Sequence, residues 1–252
     1  MAARLEQAAR LLHNSHACVA LTGAGISTPS GVPDFRSSSG LWRDHDPLEV
    51  ASQEAFRHHP DRFFAWVRPL AAAILQAEPN LAHYSLVRLE HAQRLSGIVT
   101  QNIDGLHRRA GSTGVCEIHG DLRRATCVRC FHQVQAETVI QEFVASGAAP
   151  RCEACGGVLK PDVVLFGEAL PRSAVRMAES LFATADLILV VGSSLEVYPA
   201  AALPRPALRA GARMIIVNQE ATTLDGEADV VLAGDAADIL PALADEVLRG
   251  RA

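Results

Sequence analysis

The stretch His16-Ala-Cys-Val-Ala-Leu21, closed by Thr22-Gly-Ala-Gly25, decides the fold. A short unbroken apolar run bounded by a glycine turn reads as a buried strand. A strand that empties into such a turn is the usual entry to a dinucleotide fold, because backbone amides beyond it can cradle a diphosphate. Taken alone the turn is weak. The third glycine of the usual fingerprint is missing, and no acidic residue stands convincingly at the end of a second strand. An ordinary strand-end turn would look similar.

Working outward, the same pattern recurs. Before the strand, Leu5, Ala8, Ala9 and Leu12 share one helical face within residues 4–13. After it, Gly97-Ile-Val-Thr100, Asp186-Leu-Ile-Leu-Val-Val191, Arg213-Met-Ile-Ile-Val217 and Asp229-Val-Val-Leu232 read as further buried strands. Helices are expected over 60–78, over 80–94 (Ala82, Leu86 and Leu89 at 3–4 spacing), over Pro199–Ala210 with a bend at Pro204 and Pro206, and over Ala237–Leu248. Continuous apolar strands alternating with helices predict an α/β fold, a doubly wound parallel sheet covered on both faces. Two stretches break the alternation. Residues 26–60 are rich in Pro, Gly and Ser and predict a long loop of functional character. Residues 121–160 carry two C-x-x-C pairs.

Composition excludes several classes. The 252 residues are 49% apolar, too many for a disordered chain, and no apolar run reaches the length of a membrane helix. The formal net charge of −5 argues against a dedicated nucleic-acid binder, which needs a basic face to release counterions. The start of the chain lacks the apolar core and cleavage site of a signal peptide. Six cysteines in a chain of this size do not make a secreted disulfide scaffold, so a reducing cytoplasm is expected. Of the 23 basic residues only Lys160 is a lysine, which genome composition explains.

Cys127-Val-Arg-Cys130 and Cys152-Glu-Ala-Cys155 stand 21 residues apart. Two such knuckles supply four soft ligands for a tetrahedral zinc, whereas a redox disulfide needs only one pair. Four thiolates leave no open coordination position, so the metal is expected to be structural and to hold a module with little core of its own. Cys18 and Cys116 read as small buried apolar residues. Gln101-Asn-Ile-Asp104 follows a strand directly, where ligands bind in such sheets; helix capping by Asn102 or Asp104 is the plainer reading. His119, before Gly120, is one of ten histidines and takes meaning only in combination.

That combination, Gly23-Ala-Gly-Ile-Ser-Thr-Pro-Ser-Gly-Val-Pro-Asp-Phe-Arg36, Thr100-Gln-Asn-Ile-Asp104, Ile118-His-Gly120, the four cysteines, Phe166-Gly-Glu168 and Gly192-Ser-Ser194, resembles a sirtuin of prokaryotic type, in order and at family-like spacing over the whole chain. The resemblance implies NAD-dependent protein-lysine deacylation on a Rossmann-type sheet with a smaller zinc-binding and helical domain. The Rossmann-type domain would comprise residues 1–36, 91–122 and 161–252. A helical insert at 37–90 and a zinc module at 123–160 would form the small domain. NAD+ and an acyl-lysine peptide would meet between them.

The family mechanism then assigns roles. The acetyl oxygen attacks the nicotinamide ribose, nicotinamide leaves, and His119 is the general base that activates a ribose hydroxyl against the resulting imidate. Water completes the release of lysine and O-acetyl-ADP-ribose. Asn102 would orient the ribose and a water, Asp104 would bond the nicotinamide carboxamide beside Ile103, Phe35 would exclude water, and Arg36 would order the cofactor. Ala24, Thr28, Gln101, Gly192, Ser193, Asn218, Gln219 and Ala236 would contact the dinucleotide. The peptide would add as a strand at Val164 and Phe166, facing Val197.

Acidic acyl groups are bound in some sirtuins by a Tyr and an Arg three residues apart. The matching positions here are Val67 and Leu70, with Arg68 out of register, so acetyl or apolar acyl groups are expected over succinyl or malonyl. Protein mono-ADP-ribosyl transfer in the same cleft is the nearest rival. A dehydrogenase with a structural zinc and a zinc-ribbon nucleic-acid binder are more distant ones. No membrane partner and no obligatory oligomer are implied.

Overall fold

The computed structural model describes residues 2–35, 37 and 40–249. Six parallel strands form the main sheet in the order β3-β2-β1-β7-β8-β9: β1 Cys18–Thr22, β2 Gly97–Thr100, β3 Val115–Glu117, β7 Leu187–Val191, β8 Arg213–Asn218 and β9 Val230–Ala233. The side-chain alternation of β1 explains why an unbroken apolar run is needed. Cys18 and Ala20 pack on one face with Leu189 and Ile215, while Val19 and Leu21 pack on the other with Ile188 and Ile216. Helices Ala2–Asn14, Leu81–His91 and Ala236–Arg249 cover the first face, and helices Arg172–Thr184 and Arg205–Arg209 cover the second. This is the doubly wound arrangement expected.

A second, three-stranded antiparallel sheet is separate: β4 Gly120–Cys127 in the middle, flanked by β5 Gln133–Gln135 and β6 Leu159–Val163. Between it and the main sheet lies a third apolar cluster, built on helix Pro60–Gln76. Phe63, Phe64, Val67, Leu70 and Ile74 of that helix meet Phe143, Val163 and Leu165. Its rings interlock edge to face, with centroids 5.1 Å apart for Phe56–Phe63 and 5.2 Å for Phe64–Phe143.

Two expectations change. The helical insert does not run to residue 90. Helix Leu81–His91 buries Ala82, Leu86 and Leu89 in the core of the main sheet, against helix Ala236–Arg249, so its 3–4 spacing is a Rossmann face and not an insert face. The helix expected over Pro199–Ala210 is broken into a turn at Ala200–Ala202 and a short helix at Arg205–Arg209, with Pro204 between them. Val164–Phe166, where the peptide strand is expected to add, follow directly on β6, which ends at Val163.

Candidate active site

The strand order reverses at β1: β2 lies on one side of it and β7 on the other. Ligands bind at such switch points, outside the carboxyl ends of the strands. Here the two strand ends approach too closely for any side chain. A Cβ on Gly23 would fall 2.7 Å from the Gly192 oxygen, and one on Gly25 would fall 2.8 Å from Gly192 Cα. Gly192 itself has φ +59°, and a Cβ there would strike the backbone nitrogen of Ile26. The turn at Gly23–Gly25 is thus met by a further glycine from elsewhere in the chain, Gly192, the residue after β7.

Above these glycines opens a cavity of about 340 Å³. Ala24, Thr28, Gly192 and Ser193 line it at the ends of β1 and β7, and Asn218, Gln219 and Ala236 line it beyond β8 and β9. Gln101, Asn102, Ile103 and Asp104 enter from the end of β2, and His119 enters from the turn between β3 and β4. Phe35, Val164, Phe166 and Val197 complete the opposite wall. Arg36 lies outside the described residues. The floor combines glycine backbone with neutral donors such as Ser193 and Asn218, a set suited to a dinucleotide, whose diphosphate is met by backbone amides.

A buried polar network fixes the end of β2. Asp104 accepts from the Ser27 hydroxyl at 2.7 Å and from the Leu106 amide at 2.9 Å. The Asn102 amide donates to the Gly23 carbonyl and to Ser27 Oγ, each at 3.1 Å. Gly105, not Asn102 or Asp104, holds the N-cap position of helix Leu106–Ala110; Asp104 takes the Leu106 amide from one residue earlier and lines the cavity. Burial pushes its carboxyl up, opposed by the Leu106 amide and the Ser27 hydroxyl. Below it, His83 receives the Asn80 amide on Nδ1 at 3.3 Å and stands 3.5 Å from Ser27 Oγ. His107 Nε2 meets Thr22 Oγ1 at 2.8 Å, and Thr22 donates to Thr100 Oγ1 at 2.8 Å. Burial lowers both histidines, His83 to about 4 and His107 well below the ordinary value, so both are neutral at pH 7.

His119 is set by the same strand end. Its Nδ1 lies 3.0 Å from the Gln101 carbonyl oxygen, which can only accept, so Nδ1 carries the proton and Nε2 keeps its lone pair. Burial lowers the His119 pKa, and the bond to Gln101 partly restores it. Gln101 is held in turn, its Nε2 donating to Ser193 Oγ at 2.9 Å, and the Val164 amide donates to the His119 carbonyl at 2.8 Å. The result is a neutral imidazole fitted to take a proton.

The four cysteines of the small sheet converge. Cys127 and Cys155 Sγ are 3.4 Å apart, Cys130 and Cys152 Sγ 3.7 Å, and all four lie within 4.8 Å of one another. Tetrahedral zinc with Zn–S near 2.3 Å implies sulfur–sulfur edges of about 3.8 Å. Amides of Arg129 and Gly157 point at Cys127 and Cys155 Sγ, each at 3.4 Å, a donor pattern that favours thiolates. The set fits a closed structural zinc. Cys18 and Cys116 are buried elsewhere, in the cores of the main sheet, as expected.

Sequence reasoning missed part of the wall. Trp42 stacks on Trp66 (centroids 5.0 Å, 9° between planes) and on Phe35 at 5.3 Å. With Val67, Leu70 and Ile74 they give the cavity an apolar arm. Arg68 is turned away, its guanidinium bonded to the Val144 and Ala145 carbonyls near the end of helix Ala136–Ser146. No Arg or Lys lines the cavity among the described residues. Ser27, the hub of the network, was available as one of the two serines of the quoted Gly23–Arg36 stretch but carried no signal of its own.

Comparison with known proteins agrees with this geometry. The Sir2 family model matches residues 23–199. The NAD-dependent protein deacylase 2 of Pyrobaculum aerophilum is 45% identical over 96% of this chain and 95% of its own. A structure described under the mechanism and regulation of Sir2 enzymes superposes with TM-score 0.94 at 44% identity, covering 100% of both chains. A Sir2 protein bound to a myristoylated histone peptide gives TM-score 0.87 at 39% identity, covering 100% of this chain and 99% of that one. The chain belongs to the Sir2 family.

Proposed function

We propose that the protein is an NAD-dependent protein-lysine deacetylase that transfers the acetyl group of acetyl-lysine to ADP-ribose and releases nicotinamide and O-acetyl-ADP-ribose. Family membership and the 45%-identical deacylase support the activity. The observation that carries the mechanism is the His119–Gln101 bond, which leaves Nε2 as a base inside the cavity.

NAD+, when bound, supplies the ADP-ribosyl acceptor and the departing nicotinamide. The rest is work for the chain's own residues. Ala24, Thr28, Gly192, Ser193, Asn218, Gln219 and Ala236 would hold the dinucleotide, with Gln101 keeping Ser193 in place. Asn102 would orient the ribose and a water; its amide is already anchored to Gly23 and Ser27. Asp104, pinned by Ser27 and Leu106, would accept from the carboxamide beside Ile103. Phe35 would exclude water, and Arg36 would help to order the cofactor. His119 would take the ribose hydroxyl proton at Nε2. A carbonyl oxygen is a poor nucleophile, so most of the rate comes from positioning and from stabilising positive charge at the ribose.

The peptide would lie as an added strand between Val164–Phe166 and Val197. Its acyl group would enter the apolar arm at Val67, Leu70 and Trp66. An arm without a lining Arg or Lys among the described residues favours acetyl and apolar acyl groups over succinyl or malonyl; the relative that binds a myristoylated peptide supports this. Thiolate ligands suit a reducing compartment, which favours the cytoplasm, and no helix among the described residues is long and apolar enough to cross a membrane. The reading needs no nucleic acid and no second subunit.

Labelled NAD+ separates this reading from protein mono-ADP-ribosyl transfer. With an acetylated protein substrate, label on the adenine should appear in O-acetyl-ADP-ribose. Label retained on protein as the main product would favour the transferase.

A further inference from the structure

The only lysine of the chain is placed beside the segment proposed to receive the peptide. Lys160, on β6, donates from Nζ to the Val163 carbonyl at 2.7 Å and pairs with Glu168 Oε2 at 3.0 Å. That same Glu168 oxygen accepts the Leu165 amide at 2.9 Å. The Glu168 amide returns to the Leu165 carbonyl at 3.0 Å, closing a turn in which Gly167 has φ +85°. Both side chains are about four-fifths buried, with 18% and 20% exposure, so the pair is less screened than a surface pair.

We infer that the Lys160–Glu168 pair is a positioning device for acyl-peptide binding: it clamps both ends of the segment Val163–Glu168 and so sets the backbone edge the peptide must match. The clamp accounts for the Val163 carbonyl and the Leu165 amide. Further bonds tie the segment to other parts of the protein, among them the Val164 amide to the His119 carbonyl, the Phe166 amide to the Ala51 carbonyl, and the Phe166 carbonyl from the Gln53 amide. The segment is thus tied to the catalytic histidine on one side and to the loop before helix Gln53–His58 on the other. Its own curvature, between those ties, rests on the ion pair together with the Glu168–Leu165 backbone bond and the positive φ of Gly167. Lys160 does not line the cavity; Glu168 does, at its rim. Neither side chain is assigned a part in the chemistry.

Strand addition gains affinity only when the receiving edge is already in register, because ordering it on binding costs conformational entropy. Loss of the clamp should therefore weaken peptide binding while leaving the reacting groups in place. The inference rests on the peptide-docking reading above, and the experiment separates the two.

Steady-state kinetics on the zinc-loaded full chain would compare Lys160→Met, Lys160→Arg, Glu168→Gln and Val197→Glu. Lys160→Met and Glu168→Gln should each raise the KM for acetyl-peptide about 5-fold or more, with kcat and the KM for NAD+ within about 2-fold, and Lys160→Arg should restore most of the affinity. Val197→Glu, in the facing wall, should also raise the peptide KM. If it does and the two clamp variants do not, the clamp is wrong and the docking reading stands. If none of the three moves the peptide KM, both are wrong. A loss of folding shared by all Lys160 variants would be seen in the Tm. Against that case, selective 15N labelling of lysine gives one ε-ammonium signal in the wild-type chain. That signal should shift when saturating acetyl-peptide is added, and its failure to do so would overturn the proposal without recourse to a variant.

Discussion

His119 Nδ1 lies 3.0 Å from the carbonyl oxygen of Gln101, so a main-chain acceptor at the end of β2 fixes the tautomer of a side chain presented from the turn before β4. One strand end thereby places the proposed base and, through the next three residues, the groups proposed to meet the ribose and the carboxamide.

Replacing His119 by Ala should abolish deacetylation, lowering kcat/KM by about 100-fold or more, the range removed with a general base, while far-UV circular dichroism and Tm change little. In the wild type the acid limb of kcat/KM should fall below the ordinary histidine value near 6.5, since burial lowers the pKa of His119. A limb above 7 would contradict the assignment.

His83 and His107 are neutral in the folded state and take up protons readily only on unfolding. Their folded pKa values are depressed, so their stabilising effect is complete above about pH 6.5 and is lost as pH falls towards the folded value, about 4 for His83. Each should cost about 1.4 kcal/mol per pH unit inside that window. Urea unfolding between pH 7 and 4.5 should show stability falling with pH, and His107→Gln should make that slope shallower. A stability that is flat across the window would refute the buried-neutral assignment.

One zinc per chain should be found by atomic emission, bound by Cys127, Cys130, Cys152 and Cys155. Chelation, or Cys152→Ser, should melt the three-stranded sheet and abolish activity, because that module buries only a small cluster around Ala125, Ala136 and Leu159. Metal-free protein with unchanged Tm and turnover would contradict a structural metal.

With peptides of one sequence, acetyl-lysine should be turned over at least about 10-fold faster than succinyl-lysine, since burying a carboxylate without a partner costs several kcal/mol. Leu70→Arg combined with Val67→Tyr should narrow the gap. Faster desuccinylation by the wild type would sink the acyl assignment.

Gly192→Ala should be destabilising by roughly 1–3 kcal/mol, from the strain of a left-handed φ and the contact with Ile26, and should raise the KM for NAD+. Chemical unfolding and initial rates check both parts. An unperturbed variant would mean that the close approach of β1 and β7 is not needed.

The sheet was legible because its strands are apolar on both faces, and Val19 pairs with Ile188 and Leu21 with Val190 as that pattern requires. The zinc ligands were legible from spacing alone. The boundary at residue 90 was not, because an amphipathic helix such as Leu81–His91 carries no mark of which partner its apolar face will meet; only the contact with helix Ala236–Arg249 decides it. Gly192 was quoted for its motif, yet its role against the turn at Gly23–Gly25 depends on β1 and β7 being neighbours, a fact of topology. The same holds for Lys160. In sequence it stood apart only as a lone lysine, and its bond to Glu168 appears once the turn at Gly167 has closed.

The central claim is best tested by product stoichiometry. With NAD+ and an acetyl-lysine peptide, mass spectrometry should find deacetylated peptide, nicotinamide and O-acetyl-ADP-ribose in equal amounts, with added nicotinamide inhibiting. Free acetate with no acetylated ADP-ribose, or peptide deacetylation without NAD+, would contradict the account.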